Sequence, residues 1–301
     1  MSRTITVGLD GSPESRAAAE WAAREARLRG LPLRLVHVWE PVPEPMAQAP
    51  LVGAETRQHW SDRLPRETAE GLRLRHPGVE VTAEHRAGGP ADVLTTEAGG
   101  AELLVLGSRG LSGVGGFLVG SVGQAVVACA ERPVVLVRAG EQAADEHEKD
   151  PAGIPSAATP YRPVVLGVDL AAPDDTVFAF AFEEAVRRGT SVRAVYARPL
   201  PAYYAYGVVA DLVFDEELAD RSKAALSGVL QPWRHKYPSV EVVEDSGTGS
   251  ASARLVDASH DASLVVVGRR TRRAPLGSHV GPVAHAVLHH ATAPVAVVPH
   301  D

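Results

Sequence analysis

Cysteine is almost absent: Cys129 is the single one in 301 residues. No disulfide can close within the chain, and a reducing compartment suits it. Cys129 follows Val126 by three residues in an apolar helical pattern, so a buried, inert thiol is expected there. Long apolar runs are missing too. No stretch approaches the roughly 18–20 residues that cross a bilayer. The opening MSRTITVGLDGS enters a strand at once, without the apolar core of a signal peptide. A soluble, cytoplasmic protein with no membrane partner is the expectation. Nor is there a basic excess, since 30 Lys and Arg against 37 Asp and Glu leave a net charge of −7. A general nucleic-acid binder needs cationic surplus to displace counterions, so that class is set aside. Catalytic constellations are missing as well: no Ser-His-Asp set or metal-bound carboxylate cluster stands out, and no catalytic residue is assigned. His285 and His289 have the i, i+4 spacing of a metal pair, with His290 beside them. They have no carboxylate or cysteine companion nearby, and histidines suit a helix C-terminus anyway, so no metal site is expected.

What is present is an ordinary globular composition, 45% apolar and 22% charged, on a chain long enough for two domains. Short apolar runs alternate with helical patterns. Residues 4–9 read as a buried strand ending at Asp10-Gly11-Ser12-Pro13, and Ser12 and Pro13 are a good N-cap and first helical residue. An Ala-rich helix over 15–29 follows, then a strand over 33–39 and a proline-rich loop over 41–50 that is a connector or a lid. A charged helix over 55–75, strands over 79–84 and 103–106, and a short helix over 90–98 come next. Strands alternating with helices call for a parallel sheet covered on both faces, with the ligand crevice beyond the carboxyl ends of the strands. Asp10, His37-Val38, Ala87-Gly88 and Gly107 all lie near such ends.

The richest stretch is 105–137, VLGSRGLSGVGGFLVGSVGQAVVACAERPVVLV. A strand meets a glycine-rich loop, a helix opens at Gly120-Ser121, and a strand over 134–137 closes the unit. Glycines let backbone N–H groups converge on an anion, and a helix N-terminus adds partial positive charge. By itself such a loop is equally a tight turn.

The same order then recurs. PVVLGVDL echoes RTITVGLD, LVVVG repeats LLVLG, and APVAVV repeats RPVVLV. Asp10 to Asp169 spans 159 positions, and Gly107 to Gly268, Gly120 to Gly281 and Pro133 to Pro294 each span 161. Agreement at four landmarks means a tandem duplication. The expected organisation is a first domain over 1–139, a linker over 140–160, and a second domain over 161–301. The linker, rich in charge, Ala and Pro, is expected to be exposed and mobile.

These residues carry a family likeness. Gly107-x2-Gly110-x9-Gly120-Ser121 resembles the G-x2-G-x9-G-(S/T) signature of ATP-binding universal stress proteins, and VGLDGSPESRAAAEWAAREA resembles that family's opening strand and helix. The likeness covers both halves, as in the tandem form. It implies an α/β protein of two Rossmann-like domains of the adenine nucleotide alpha hydrolase type, each a five-stranded parallel sheet with helices on both faces. It also implies an adenine nucleotide, ATP with or without Mg2+, as ligand. Asp10 would sit beside the adenosine, where a carboxylate accepts from ribose or adenine; an Asx-turn or helix cap is the alternative use for it. Val38 would lie against adenine, or is simply a sheet residue. Gly8 and Ser108 would belong to the same site. Gly107 and Gly110 would let the backbone wrap phosphates, Arg109 would add charge or stand exposed, and Gly120, Ser121 and Val122 would hold them at the helix start. Asp169, Gly268 and Gly281 are the counterparts in the second half.

That half departs from the pattern. Thr271 stands where the second glycine belongs, and Pro282 replaces the serine, removing a donor and a hydroxyl. Arg269, Arg270, Arg272 and Arg273 instead offer side-chain grips for phosphate, or form a solvated face or dimer contact, and Gly277-Ser278 is a displaced small pair. Tyr196, Tyr203, Tyr204 and Tyr206 line the segment matching the proline loop, as a cover for the crevice or a surface loop. The loops H-x-G-H and S-G-G-x-D-S of related adenylyl-transferring enzymes are absent after the first strand. A nucleotide-dependent stress or dormancy regulator with a protein partner is the leading expectation. A slow ATPase or nucleotidyl transferase, and a structural dimer with an empty loop, stay open. The resemblance also suggests pairing through the last strand of each half, as a homodimer or an intrachain pseudo-dimer.

Overall fold

The computed structural model describes residues 3–40, 54–108, 119–199, 212–271 and 280–301, with side chains from 63 in the helix beginning at 54 and from 216 in the one beginning at 212. The proline-rich loop 41–50, Arg109, Gly110, Tyr203, Tyr204, Tyr206, Arg272, Arg273, Gly277 and Ser278 lie outside the described residues. Two compact units divide the chain, one built on Met1–Gln142 and the other on Ala143–Thr271 and Gly281–Asp301.

The first unit runs β1 (Ile5–Leu9), α1 (Pro13–Arg29), β2 (Leu33–Trp39), α2 (Ala54–Arg75), β3 (Val81–Ala87), α3 (Pro90–Gly99), β4 (Leu103–Ser108), α4 (Ser121–Cys129) and β5 (Val134–Arg138). β1 is buried along its whole length, as a near-continuous apolar run in a doubly covered parallel sheet must be. All pairings are parallel, in the order β3-β2-β1-β4-β5. The chain steps outward from β1 through β2 to β3, then returns to the other side of β1 at β4. The topological switch point therefore lies between β1 and β4, and a ligand crevice is expected beyond their carboxyl ends. The register sets β3 at 81–87, later than the 79–84 that local pattern suggests, because Leu33 to Trp39 of β2 pair with Val81 to Ala87.

α1 begins where its caps dictate. The Ser12 hydroxyl accepts the Ser15 N–H, Pro13 opens the helix, and Gly30 at φ 63° ends it. Its buried face is mostly alanine with Trp21, so the helix lies close on the sheet. The second unit repeats the plan with β6 (Val164–Gly167), α5 (Asp175–Arg188), β7 (Val192–Arg198), α6 (Leu212–Lys236), β8 (Val242–Thr248), α7 (Ala251–Ala258), β9 (Leu264–Arg270), α8 (Pro282–His290) and β10 (Val295–His300). Its order is β8-β7-β6-β9-β10, again all parallel. Even a buried ion pair is duplicated: Glu25–Arg29 in α1 recurs as Glu184–Arg188 in α5.

One local expectation fails, and another holds over most of its length. Cys129 is exposed: α4 buries Gly123, Val126 and Val127, and the thiol falls on the flank of that face at the last turn. The segment expected to be an exposed linker is exposed over most of 148–160, but it carries local structure from residue 143 onward. A 3-10 turn over Ala143–Glu146 leads to His147, whose Nδ1 donates to the Thr159 carbonyl and whose ring lies 4.0 Å from that of Tyr161. Glu146 and His147 are both buried, while most of 148–160 is exposed.

On β8, Asp245 accepts from Arg193 at 2.9 Å and also from Arg254. Burial alone would raise its carboxyl, but the two guanidinium groups outweigh that and hold it below the ordinary 3.8. A depressed carboxylate contributes stability above its unfolded value and loses it as pH falls through the folded one. Asp245→Asn should therefore be less stable than the parent at neutral pH, and the gap should close below pH 3.8. Urea midpoints measured from pH 7 down to about pH 2 check this; a gap that stays constant would show that the charge contributes nothing.

Candidate nucleotide site

A cleft of about 260 Å³ opens at the switch point of the first unit. Its floor is made by Leu106 of β4, Leu94 of α3 and the bare backbone of Gly8. A Cβ on Gly8 would lie 2.6 Å from Leu106 Cδ2 and 3.1 Å from Leu94 Cδ2, so any larger residue would push on these two leucines. Val38, from the end of β2, and Pro90 supply further apolar wall.

The second wall is the start of α1. Asp10 leaves β1 and its Oδ1 accepts the N–H of Ser12 at 2.9 Å and the Ser12 hydroxyl, which is an Asx turn. Ser12 in turn accepts the Ser15 N–H at 3.1 Å, and the Ser15 hydroxyl donates back to the Ser12 carbonyl at 3.0 Å. His37 fixes the strand end below, since its Nδ1 lies 2.8 Å from the Leu9 carbonyl and must donate to it. Asp10, Ser12 and Ser15 all line the cleft.

Gly107 stands where α1 meets β4. A Cβ there would be 2.6 Å from the carbonyl carbon of Glu14 and 2.7 Å from the Ser15 nitrogen. These are backbone atoms, so the glycine is needed to let the first turn of α1 approach the strand end. The third wall is the start of α4. Gly120 is its N-cap with no side chain capping the helix, and Gly120, Ser121, Val122 and Gly123 all line the cleft. An uncapped N-terminus presents N–H donors and a partial positive charge to whatever enters. Arg138 adds a guanidinium at this end of the sheet, level with Ser108; burial pushes it down to about 10, which leaves it charged at neutral pH.

Of the sequence-named residues, Gly8, Asp10, Val38, Gly107, Gly120, Ser121 and Val122 meet in this cleft. Ser108 directs its hydroxyl away, donating to the Val137 carbonyl at 3.1 Å. Ala87 and Gly88 do not line the cleft, since β3 lies two strands from β1. Ser15, Pro90, Leu94 and Leu106 were not singled out from sequence, because nothing local says which face of a strand or helix turns to a crevice.

In the second unit Asp169 accepts the Ala171 N–H at 3.0 Å and lies 3.4 Å from Arg270 Nη2. Gly268 has the His300 ring against it, and Gly281 is the N-cap of α8. Arg269 is buried. The rings of His285 and His289 lie 4.4 Å apart at a tilt of 36°, and no group of three metal-ligating side chains exists among the described residues. No helix among the described residues is long and apolar enough to cross a membrane.

Comparison with known proteins adds to this geometry. The sequence matches the universal stress protein family over residues 1–138 and again over 160–299. A universal stress protein of Mycolicibacterium smegmatis is 31% identical, covering 98% of this chain and 96% of its own length. One from Mycobacterium tuberculosis (strain H37Rv) is 32% identical over 97% and 96%. The crystal structure of a universal stress protein from Archaeoglobus fulgidus superposes over the full length of both chains with a TM-score of 0.67 at 16% identity, which speaks to the fold.

Proposed function

The chain belongs to the universal stress protein family, and on that premise we propose that its first unit is an adenine-nucleotide-binding module, with ATP as ligand, that acts by binding rather than turnover. One observation carries the reading: a single cleft at the β1/β4 switch point joins Asp10, the bare backbone of Gly8 and Gly107, and the uncapped start of α4. Each feature suits a different part of a nucleotide. The apolar floor and Val38 fit a flat base, and the Asp10 carboxylate, steadied by Ser12, accepts from ribose hydroxyls. The N–H groups of Ser121 and Val122, with the Ser121 hydroxyl, point phosphates to the positive end of α4. Gly107, Ser108, Arg109 and Gly110 then lead the backbone around those phosphates. In this reading Mg2+ arrives on the phosphates, because such ions keep most of their water and take few protein ligands. Residues 1–139 and 161–301 are the two domains, and 140–160 joins them. A regulator of this kind passes its nucleotide state to a protein partner in the cytoplasm.

Titration calorimetry of the full chain with ATP tests the reading. Asp10→Ala should weaken binding by roughly 10- to 100-fold, the worth of hydrogen bonds to a charged group, and bound ATP should persist for hours. No uptake of ATP by the parent chain would sink the proposal. Release of ADP at a rate that Asp10→Ala abolishes would put a slow ATPase in its place.

A further inference from the structure

A strand at the edge of a sheet offers its outer backbone to other chains, and proteins blunt such edges with charge or a covering side chain. We infer that β3 of the first unit is an interface between two copies of this chain, paired antiparallel about a two-fold axis at His85. Among the described residues β3 is bonded to β2 and to no other strand. It lies at the opposite end of the unit's sheet from β5, the strand that the family likeness suggests for pairing.

The ladder decides which residues face outward. Leu33 donates to the Glu80 carbonyl at 2.9 Å, and Gly88 donates to that of Trp39 at 3.1 Å. Every second residue of a strand bonds a given neighbour, so Glu80, Thr82, Glu84, Arg86 and Gly88 turn their backbone toward β2. Val81, Ala83, His85 and Ala87 turn theirs outward. The first of these is covered, since Arg73 of α2 donates to the Val81 carbonyl at 2.5 Å. His85 and Ala87 are exposed and Ala83 is half-buried. The Arg86 guanidinium reaches the His85 carbonyl at 3.4 Å, and a carbonyl has a second lone pair for a partner strand.

Charge selects the register. Glu84 and Arg86 lie on one face, where Arg86 pairs with Glu84 and, at 3.0 Å, with Glu97 of α3. An axis at His85 sets Ala83 opposite Ala87 of the second copy, and Glu84 opposite Arg86 twice over. Opposite charges across strands attract, and directly opposed like charges repel. An axis at Glu84 or at Arg86 would oppose two carboxylates or two guanidinium groups. An axis at Ala83 needs the Val81 carbonyl that Arg73 holds, and one at Ala87 leaves Arg86 against Gly88. The axis at His85 gains both ion pairs and meets no obstacle.

The duplication supplies a control. The places 161 on from Glu84 and Arg86 hold Asp245 and Gly247, so the same register in β8 has no cation to offer. Asp245 is moreover engaged by Arg193 and Arg254. β3 therefore pairs and β8 does not. An interface that uses one edge of each copy closes at two chains instead of growing into a filament.

Sedimentation velocity of the full chain over a range of concentrations tests the inference. The parent should reach twice the 31.7 kDa of one chain. Ala83→Pro removes an outward N–H from an edge strand, where proline is tolerated, and should leave a folded monomer. Arg86→Glu opposes carboxylates across the axis and should weaken association by at least about tenfold. Ser246→Pro makes the proline change at an outward position of β8 and should leave the dimer intact. Circular dichroism checks the folding of each variant; should Ala83→Pro fail to fold, Arg86→Glu decides by itself. A parent that stays monomeric at every concentration overturns the inference. So does a dimer that survives the folded β3 variants, or one that dissociates with Ser246→Pro.

Discussion

Gly107→Ala should destabilise the first unit by about 1–3 kcal/mol, the usual cost of forcing a methyl group into a packed site. For a unit of this size the melting temperature should fall by roughly 2–12 °C. The added Cβ meets the Glu14 carbonyl carbon at 2.6 Å and the Ser15 nitrogen at 2.7 Å, and a backbone cannot step aside as a side-chain tip can. The first turn of α1 has to move. Since that turn carries Ser12 and Ser15 into the cleft and Ser12 holds Asp10, ATP affinity should fall together with stability. Gly281→Ala is the natural control, because nothing lies within 4 Å of a Cβ there. As an N-cap change from glycine to alanine it should cost no more than about 1 kcal/mol. Thermal melts of the two variants decide the matter: equal losses would mean that close approach of α1 is not what Gly107 provides.

Phe182→Ala should cost more, about 3–5 kcal/mol, as removal of a fully buried aromatic does. Phe182 is wholly buried in α5, and its ring stacks 5.6 Å from Trp233 and 5.5 Å from Tyr237 of the helix and turn opposite. Phe178 completes the group at 5.7 Å from Trp233. Removing the middle ring leaves a cavity between α5 and α6 that Trp233 cannot fill without losing its own stacking. Urea unfolding followed by tryptophan emission should show the midpoint falling by more than about 1 M. Phe182→Leu keeps most of the volume and should lose less than half as much. A midpoint within experimental error of the parent would show that this cluster does not hold α6 on α5.

How much of this was legible beforehand depended on whether the signal was local. Ser12-Pro13 and Gly30 bound α1 because capping acts within a few residues, and the helix runs between those marks. The repeat was legible because a duplication preserves spacing, and both units have the same strand order. Asp10 and Gly107 lie almost one hundred positions apart, yet each marks the end of an apolar run, and parallel sheets place such ends together. The exposure of Cys129 was not legible, because a residue on the flank of an apolar stripe is buried or not according to what packs beside it. Folding of 143–162 was not legible either. Its anchor is the pairing of His147 with Tyr161, which no composition reports.

The sequence by itself determined the class of fold, the duplication, the positions of the strand ends and the fact that one glycine loop is better preserved than the other. Hydrophobic period, caps and glycine placement act over a few residues, and a repeat offset needs only counting. The tertiary structure decided which ends become a site. It placed the switch point between β1 and β4, left β3 out of the cleft, and turned the Ser108 hydroxyl toward Val137. It also showed that Gly107 is small for the sake of α1, and that His300 and Arg270 stand over Gly268 and Asp169. Those outcomes depend on which elements become neighbours, and contacts between residues far apart in the chain are settled only when the sheet has been assembled.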